Sequence, residues 1–223
     1  MKPIGFLLSA VCLAATPVGA QDWLARIEAE ARRIEPQIVQ IRHQIHQNPE
    51  LSNREEKTAA LVAGYLRDLG LDVKTGVAKH GVVALLRGGR PGPVVAVRAD
   101  MDALPVTEQT DLPFASKVRA TYQGQEVGVM HACGHDVHTA VQLGVAAVLA
   151  AVKADLPGTV KFIFQPAEEG APPGEEGGAS LMVKEGVLDN PRPQVIFGLH
   201  AFAEMGVGDT QRAPRSPRPT PGR

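Results

Sequence analysis

"PVVAVRAD", Pro93–Asp100, decides the fold. It runs almost unbroken through apolar residues, most of them valine. A strand with one face in water alternates polar and apolar side chains, whereas a near-continuous apolar run belongs to a strand covered on both faces. Helices have to supply that cover, so the run points to an α/β layer.

Working outward, the sequence supplies both kinds of element. "LDVKT" and "GVVALLR" precede the run and read as strands; "GTVKFIFQP" and "PQVIFGLHA" follow it and read the same way. Between them a helical pattern runs from about His135 to Lys153, and "GGASLMVKEG" reads as a short helix. Upstream, "DWLARIEAEARRIEPQIVQIRHQIHQNPE" has helical spacing, with Pro36 suited to the first turn of a second helix and Asn48-Pro49 as a stop. "NREEKTAALVAGYLRDLG" reads as a helix capped by Asn53, with Glu56 three residues on and Gly70 at its end. Alternating helices and strands predict an α/β fold with a largely parallel sheet flanked by helices.

The formal net charge is −1, which gives a polyanion such as nucleic acid no purchase. No segment reads as a stable membrane anchor. The N-terminus "MKPIGFLLSAVCLAATPVGAQDW" has Lys2, an apolar stretch from Ile4 to Ala15 and the small-residue sequence Val18-Gly19-Ala20. This is the form of a Sec signal peptide, residues 1–20, cleaved after Ala20, and it predicts a periplasmic or secreted protein. Cleavage removes Cys12 and leaves Cys133 unpaired in an oxidising compartment, where a thiol among histidines suggests a metal ligand or a nucleophile. The Pro- and Arg-rich residues 208–223 lack periodicity and are expected to be a disordered tail, which leaves 21–207 as the domain.

In open α/β sheets, ligands gather outside the carboxyl ends of strands. There the sequence delivers Asp100 and Asp102, then Glu168 and Glu169, then His200, with Cys133-Gly134-His135-Asp136 just before a helix. Thiolate and imidazole suit Zn²⁺ and its neighbours, and carboxylates add harder ligands. Of two adjacent glutamates, one can coordinate while the other takes a proton from metal-activated water. Spacing does not say which is which. Bland readings compete: Glu175-Glu176 reads as a solvated loop, His43 and His46 as partly exposed helix residues, and His131 and His138 have no assignment. A cysteine hydrolase with Cys133 as nucleophile and a nearby histidine as base is the rival chemistry. A metal-binding module without turnover is the rival of another class.

"RHQIHQNPELS", "VAVRADMDALPV", "MHACGHDVHTA", "FIFQPAEEGAPPGEEGGASLMVKEGVL" and "IFGLH" resemble, in order, the blocks of the hippurate hydrolase or N-acyl-amino-acid amidohydrolase family. These are carboxypeptidase-like di-metal hydrolases that include the auxin-conjugate hydrolases. The resemblance runs from roughly Ile27 to Ala203. It implies Cys133, His135, Glu169 and His200 as metal ligands, Glu168 as general base and Asp102 as support for the site. It also implies two divalent ions (Zn, Mn, Co or Ni) and a small N-acyl amino acid as substrate. Full-length members carry a lid and dimerisation domain after the "GLH" strand, and then a further histidine ligand. Measured against them, this chain is expected to be the N-terminal part of the catalytic domain, inactive by itself.

Overall fold

The computed structural model describes residues 20–206 and 208–211. The predicted signal peptide, save Ala20, and most of the predicted tail lie outside the described residues. Helix α1 spans Ala20–Gln47 and α2 Glu56–Asp68. Strands β1 (Asp72–Val77), β2 (Gly81–Arg87) and β3 (Arg90–Asp100) follow, then a hairpin of β4 (Arg119–Tyr122) and β5 (Gln125–Gly128). Helix α3 (His135–Ala151), strand β6 (Pro157–Gln165), helix α4 (Gly178–Lys184) and strand β7 (Val195–Gly198) complete the order.

The main sheet has the order β1-β2-β6-β3-β7. β6, β3 and β7 run parallel, while β1 and β2 are antiparallel additions at one edge, so the sheet is mixed. The β3–α3–β6 crossover places α3 over the strands it connects.

Alternation along the strands divides two cores. Val82, Ala84 and Leu86 of β2 and Phe162 and Phe164 of β6 face α2 and α3, where Leu66, Met101 and Leu143 join them. Ala96 and Ile163 point the other way, onto Met182 of α4 and Val187. Helix α3, "HDVHTAVQLGVAAVLAA", is apolar almost all round because it is sandwiched between the sheet and α1.

Two local expectations are corrected, and one hairpin lies outside them. Pro36 does not begin a second helix: α1 continues through it, because the proline lies on the exposed face and the carbonyl it frees meets solvent. Asn53 does not cap α2; the Glu50 carboxylate does, accepting the amides of Lys57 and Thr58 at 3.0 and 2.8 Å. Neither strand of the β4–β5 hairpin alternates clearly, so periodicity does not signal it. Its two-residue turn, Gln123-Gly124, has positive φ at both positions, the mirror-image geometry that suits tight hairpins.

Candidate metal centre

β3, β6 and β7 end on the same rim. Asp100 closes β3, the Ala167–Glu169 turn follows β6, and His200 follows β7. α3 begins there too. Gly134, φ +85°, turns the chain between Cys133 and His135, and a β-carbon on it would sit 3.4 Å from Ala201 Cβ. Only glycine holds that bend at low cost, and the bend lets both neighbours face one point.

His135 is the pivot. Its Nδ1–H donates to the Asp102 carbonyl at 2.8 Å, which leaves the Nε2 lone pair free. Nε2 is buried and has no hydrogen-bond partner. Asp100 Oδ1, Glu168 Oε2 and Glu169 Oε1 each stand 3.7 Å from it. One ligand atom apiece from Cys133, His135 and Glu169 lie within 4.8 Å of one another. His200 Nε2 is 3.7 Å from Cys133 Sγ. The four predicted ligands therefore converge: the Cys133 thiol lies within sulfur hydrogen-bonding reach of His200 and Glu169, while His135 Nε2 stands off from its acidic neighbours by gaps suited to a cation. Thiolate, imidazole and carboxylate are the donor set of a Zn²⁺-like ion. An orphaned, buried Nε2 aimed at three carboxylates fits the same conclusion.

The electrostatics agree. Burial lowers the His135 pKa, but the carboxylates of Asp102, Asp100 and Glu169 outweigh it and raise it; a field that holds a proton on Nε2 equally favours a metal ion. Burial pushes the Cys133 thiol up to about 11, and Glu169, Glu168 and Asp100 push the same way. Reactive cysteines sit in electropositive surroundings. Cys133 sits among acids, so the nucleophile reading loses its physical basis, whereas a bound cation would reverse the balance.

Asp102 supports the site from beneath. Its Oδ1 and Oδ2 accept the amides of Glu168 and Glu169, both at 3.0 Å, and Oδ2 also accepts Ser52 Oγ at 2.7 Å. Burial raises its pKa, but His135, Ser52 and these amides lower it by more, so it is ionised near neutral pH.

Of the two histidines without a clear assignment from sequence, His138 proves structural. Ligand-bearing atoms of Asp100, His135 and His138 also cluster, but His138 has no free nitrogen. Nδ1 bonds Asp100 Oδ1 at 2.6 Å and Nε2 accepts the Ala201 amide at 2.8 Å. His138 is thus a strut between β3 and the segment that carries His200. Its spacing of three from His135, on one face of α3, was the available signal. Asp100, paired also with Arg98, is drawn down to about 2 because these partners overcome its burial. His131 is buried with neither ring nitrogen partnered, and burial lowers its pKa to about 4, so it is neutral.

Two bland readings are corrected. His46 is buried rather than partly exposed: it bonds Asp136 Oδ2 at 2.9 Å and Glu108 Oε1 at 3.2 Å. Arg42 reaches the same Asp136 oxygen at 2.8 Å, so the pair ties α1 to the first turn of α3. His43, half-buried, stacks on Phe114. Glu175 is not free in solvent; Arg54, Lys79 and Asn53 hold it and draw its pKa down. Glu176 is exposed and pairs with Lys184. Beside Glu169 opens a cleft of about 580 Å³ walled by Leu51, Leu104, Pro105, Tyr122 and Pro172, with Ser52 and Thr121 among the polar groups.

Residues 96–215 match the profile of peptidase family M20/M25/M40. The chain is 45% identical over 196 residues to thermostable carboxypeptidase 1 of Saccharolobus solfataricus, covering 86% of this chain and 47% of that one. It is 42% identical over 175 residues to the N-acyl-L-amino acid amidohydrolase of Geobacillus stearothermophilus, covering 78% and 44%. A Bacillus subtilis protein described as a dinuclear metal binding peptidase has a similar solved structure, with a TM-score of 0.66 and 41% identity over 79% of this chain and 44% of that one. The chain spans about half the length of the curated relatives it matches.

Proposed function

We infer, for a chain that belongs to peptidase family M20/M25/M40, that the protein it represents is a metal-dependent amidohydrolase that cleaves the amide bond of N-acyl amino acids. The observation that carries this is the unpartnered Nε2 of His135, buried and facing Glu169, Glu168 and Asp100 beside Cys133. Relatives named as an N-acyl-amino-acid amidohydrolase and a carboxypeptidase support the substrate class.

Cys133, His135, Glu169 and His200 would hold the metal, and a second divalent ion would share the site. When bound, the metal supplies Lewis acidity, polarising the scissile carbonyl and making water acidic enough to deprotonate near neutral pH. Glu168 takes the proton from the attacking water. The water oxygen bonds to the carbonyl carbon, the carbon–nitrogen bond breaks, and Glu168 delivers the proton to the leaving nitrogen. A carboxylic acid and an amino acid result. His135 is held in one tautomer by the Asp102 carbonyl, and Asp102 fixes the amides of both glutamates. The cleft beside Glu169, half apolar in its walls, suits one end of a small conjugate.

The test is hydrolysis of N-acyl amino acids by the full-length protein, stripped with a chelator and then reloaded with Zn²⁺, Mn²⁺, Co²⁺ or Ni²⁺. Loss on stripping and recovery on reloading supports the reading; turnover that survives chelation contradicts it. Bound metal without turnover would support a non-catalytic module.

The leader at residues 1–20 supports export to the periplasm or medium. Among the described residues no helix is long and apolar enough to cross a membrane. Exported material should begin at Gln21; protein starting at Met1 in the cytosol would overturn this.

A further inference from the structure

One fully buried carboxylate has no role in the mechanism above. Glu55 sits in the turn before α2 and is 0% exposed. Its Oε1 accepts the amide of Asn53 at 3.0 Å and that of Ala167 at 2.7 Å. Its Oε2 has no partner. Folding gains little from such a group, because a buried carboxyl with an unsatisfied oxygen is unfavourable and an apolar side chain of that size would fill the space better.

What Glu55 grips explains its presence. Ala167 has φ +49°, a left-handed conformation that a β-carbon disfavours. Behind it there is no slack: a β-carbon on Gly178 would lie 2.7 Å from the Ala167 carbonyl oxygen. The next two amides, of Glu168 and Glu169, are the ones that Asp102 accepts. Three consecutive N–H groups thus meet two buried carboxylates that approach from different segments, Glu55 before α2 and Asp102 after β3. Strained backbone persists where its surroundings over-determine it, and here it directly precedes the two reactive glutamates.

We propose that Glu55 is a positioning residue for the hydrolysis, acting through the Ala167 amide to hold the turn that presents Glu168 for proton transfer. This rests on the reading of Glu168 above.

The test uses the full-length, metal-loaded protein and two readouts: steady-state kinetics and amide hydrogen exchange at residues 167–169. Glu55→Gln keeps an acceptor oxygen at the same reach, so kcat should stay within about threefold and the amides should stay protected. Glu55→Leu removes the acceptor. Its kcat should fall about 100-fold, the scale of a small misplacement of a catalytic group, with KM and metal content nearly unchanged and exchange faster by at least about tenfold. Gly178→Ala presses on the same peptide with Glu55 intact and should lower kcat about tenfold; it keeps the proposal testable where Glu55→Leu does not fold. The proposal is overturned if Glu55→Leu or Gly178→Ala keeps wild-type kcat, if Glu55→Gln falls as far as Glu55→Leu, or if the wild-type amides exchange freely. Absence of wild-type turnover with metal bound would instead sink the reading of Glu168, and the exchange data would still decide whether Glu55 holds the turn.

Discussion

Strands β6 and β7 look alike in sequence and lie on either side of β3, yet their surroundings are opposite. "VKFIFQ" places Phe162 and Phe164 at 0% exposure, packed under α2 and α3, with Ile163 under α4. "VIFG" leaves Val195, Ile196 and Phe197 exposed at 39%, 50% and 59%. Their alternation puts apolar side chains on both faces of β7, and among the described residues its outer edge is unpaired and nothing covers it. An apolar strand therefore states that it is written for burial, and only the neighbouring layers determine whether it gets it. The metal centre divides similarly. Asp102, His135 and His138, tied to β3 and α3, are buried and bonded, whereas Glu168 and Glu169 on the β6 turn and His200, after β7, are exposed.

The contrast can be sharpened by mutation. Phe162→Ala should cost about 3–5 kcal/mol in urea unfolding, the usual penalty for an aromatic core cavity. A loss under about 1 kcal/mol would mean that the inner core is loose. Next in size is a pH effect at Glu55. Burial raises its pKa from 4.5 to about 7, so the folded state binds the extra proton between those values. Stability should then fall as pH rises through that window, by on the order of 3 kcal/mol, and level off above it. Glu55→Gln should flatten that part of the curve, and an unchanged slope would place the titration elsewhere.

At the β7 boundary, His138→Gln should cost about 1–2 kcal/mol by weakening the bonds to Asp100 and to the Ala201 amide, and should raise exchange at Ala201. Protection unchanged there would break the strut argument. Smallest is Phe197→Ser, expected within about 0.5 kcal/mol of wild type because the ring is already in solvent. It should lower self-association in sedimentation, since an exposed apolar edge strand is a template for pairing. A large loss of stability would show that β7 is covered after all.

Legibility in the sequence followed the same divide. β2 was readable to the residue, and β3, β6 and the start of α3 nearly so, because continuous apolar runs and a glycine-bounded loop leave few alternatives. That Asp100, Asp102, Cys133, His135, Glu168, Glu169 and His200 share one rim was readable from residue type and from their place after strands; which of the two glutamates would coordinate was not, and only the resemblance implied it. Less readable were effects set by partners distant in the chain. His46 looked exposed on a helix because Asp136 and Glu108 lie far along the sequence. Glu175 looked solvated because Arg54 and Lys79 come from elsewhere. Glu55 carried no signal at all: its significance lies in a single bond to Ala167. The order of the sheet, with antiparallel β1 and β2 beside a parallel core, likewise depends on pairings that periodicity does not encode.

The central claim is the division of labour between two adjacent carboxylates, and parallel substitution tests it most directly. In the full-length protein, Glu168→Gln and Glu169→Gln should each be measured for bound metal and for turnover of an N-acyl amino acid. The account predicts that Glu168→Gln keeps its full metal content and loses at least about 10²-fold in kcat, while Glu169→Gln loses metal as well as activity. Metal lost from Glu168→Gln but retained by Glu169→Gln, or near-normal turnover by Glu168→Gln, would contradict it.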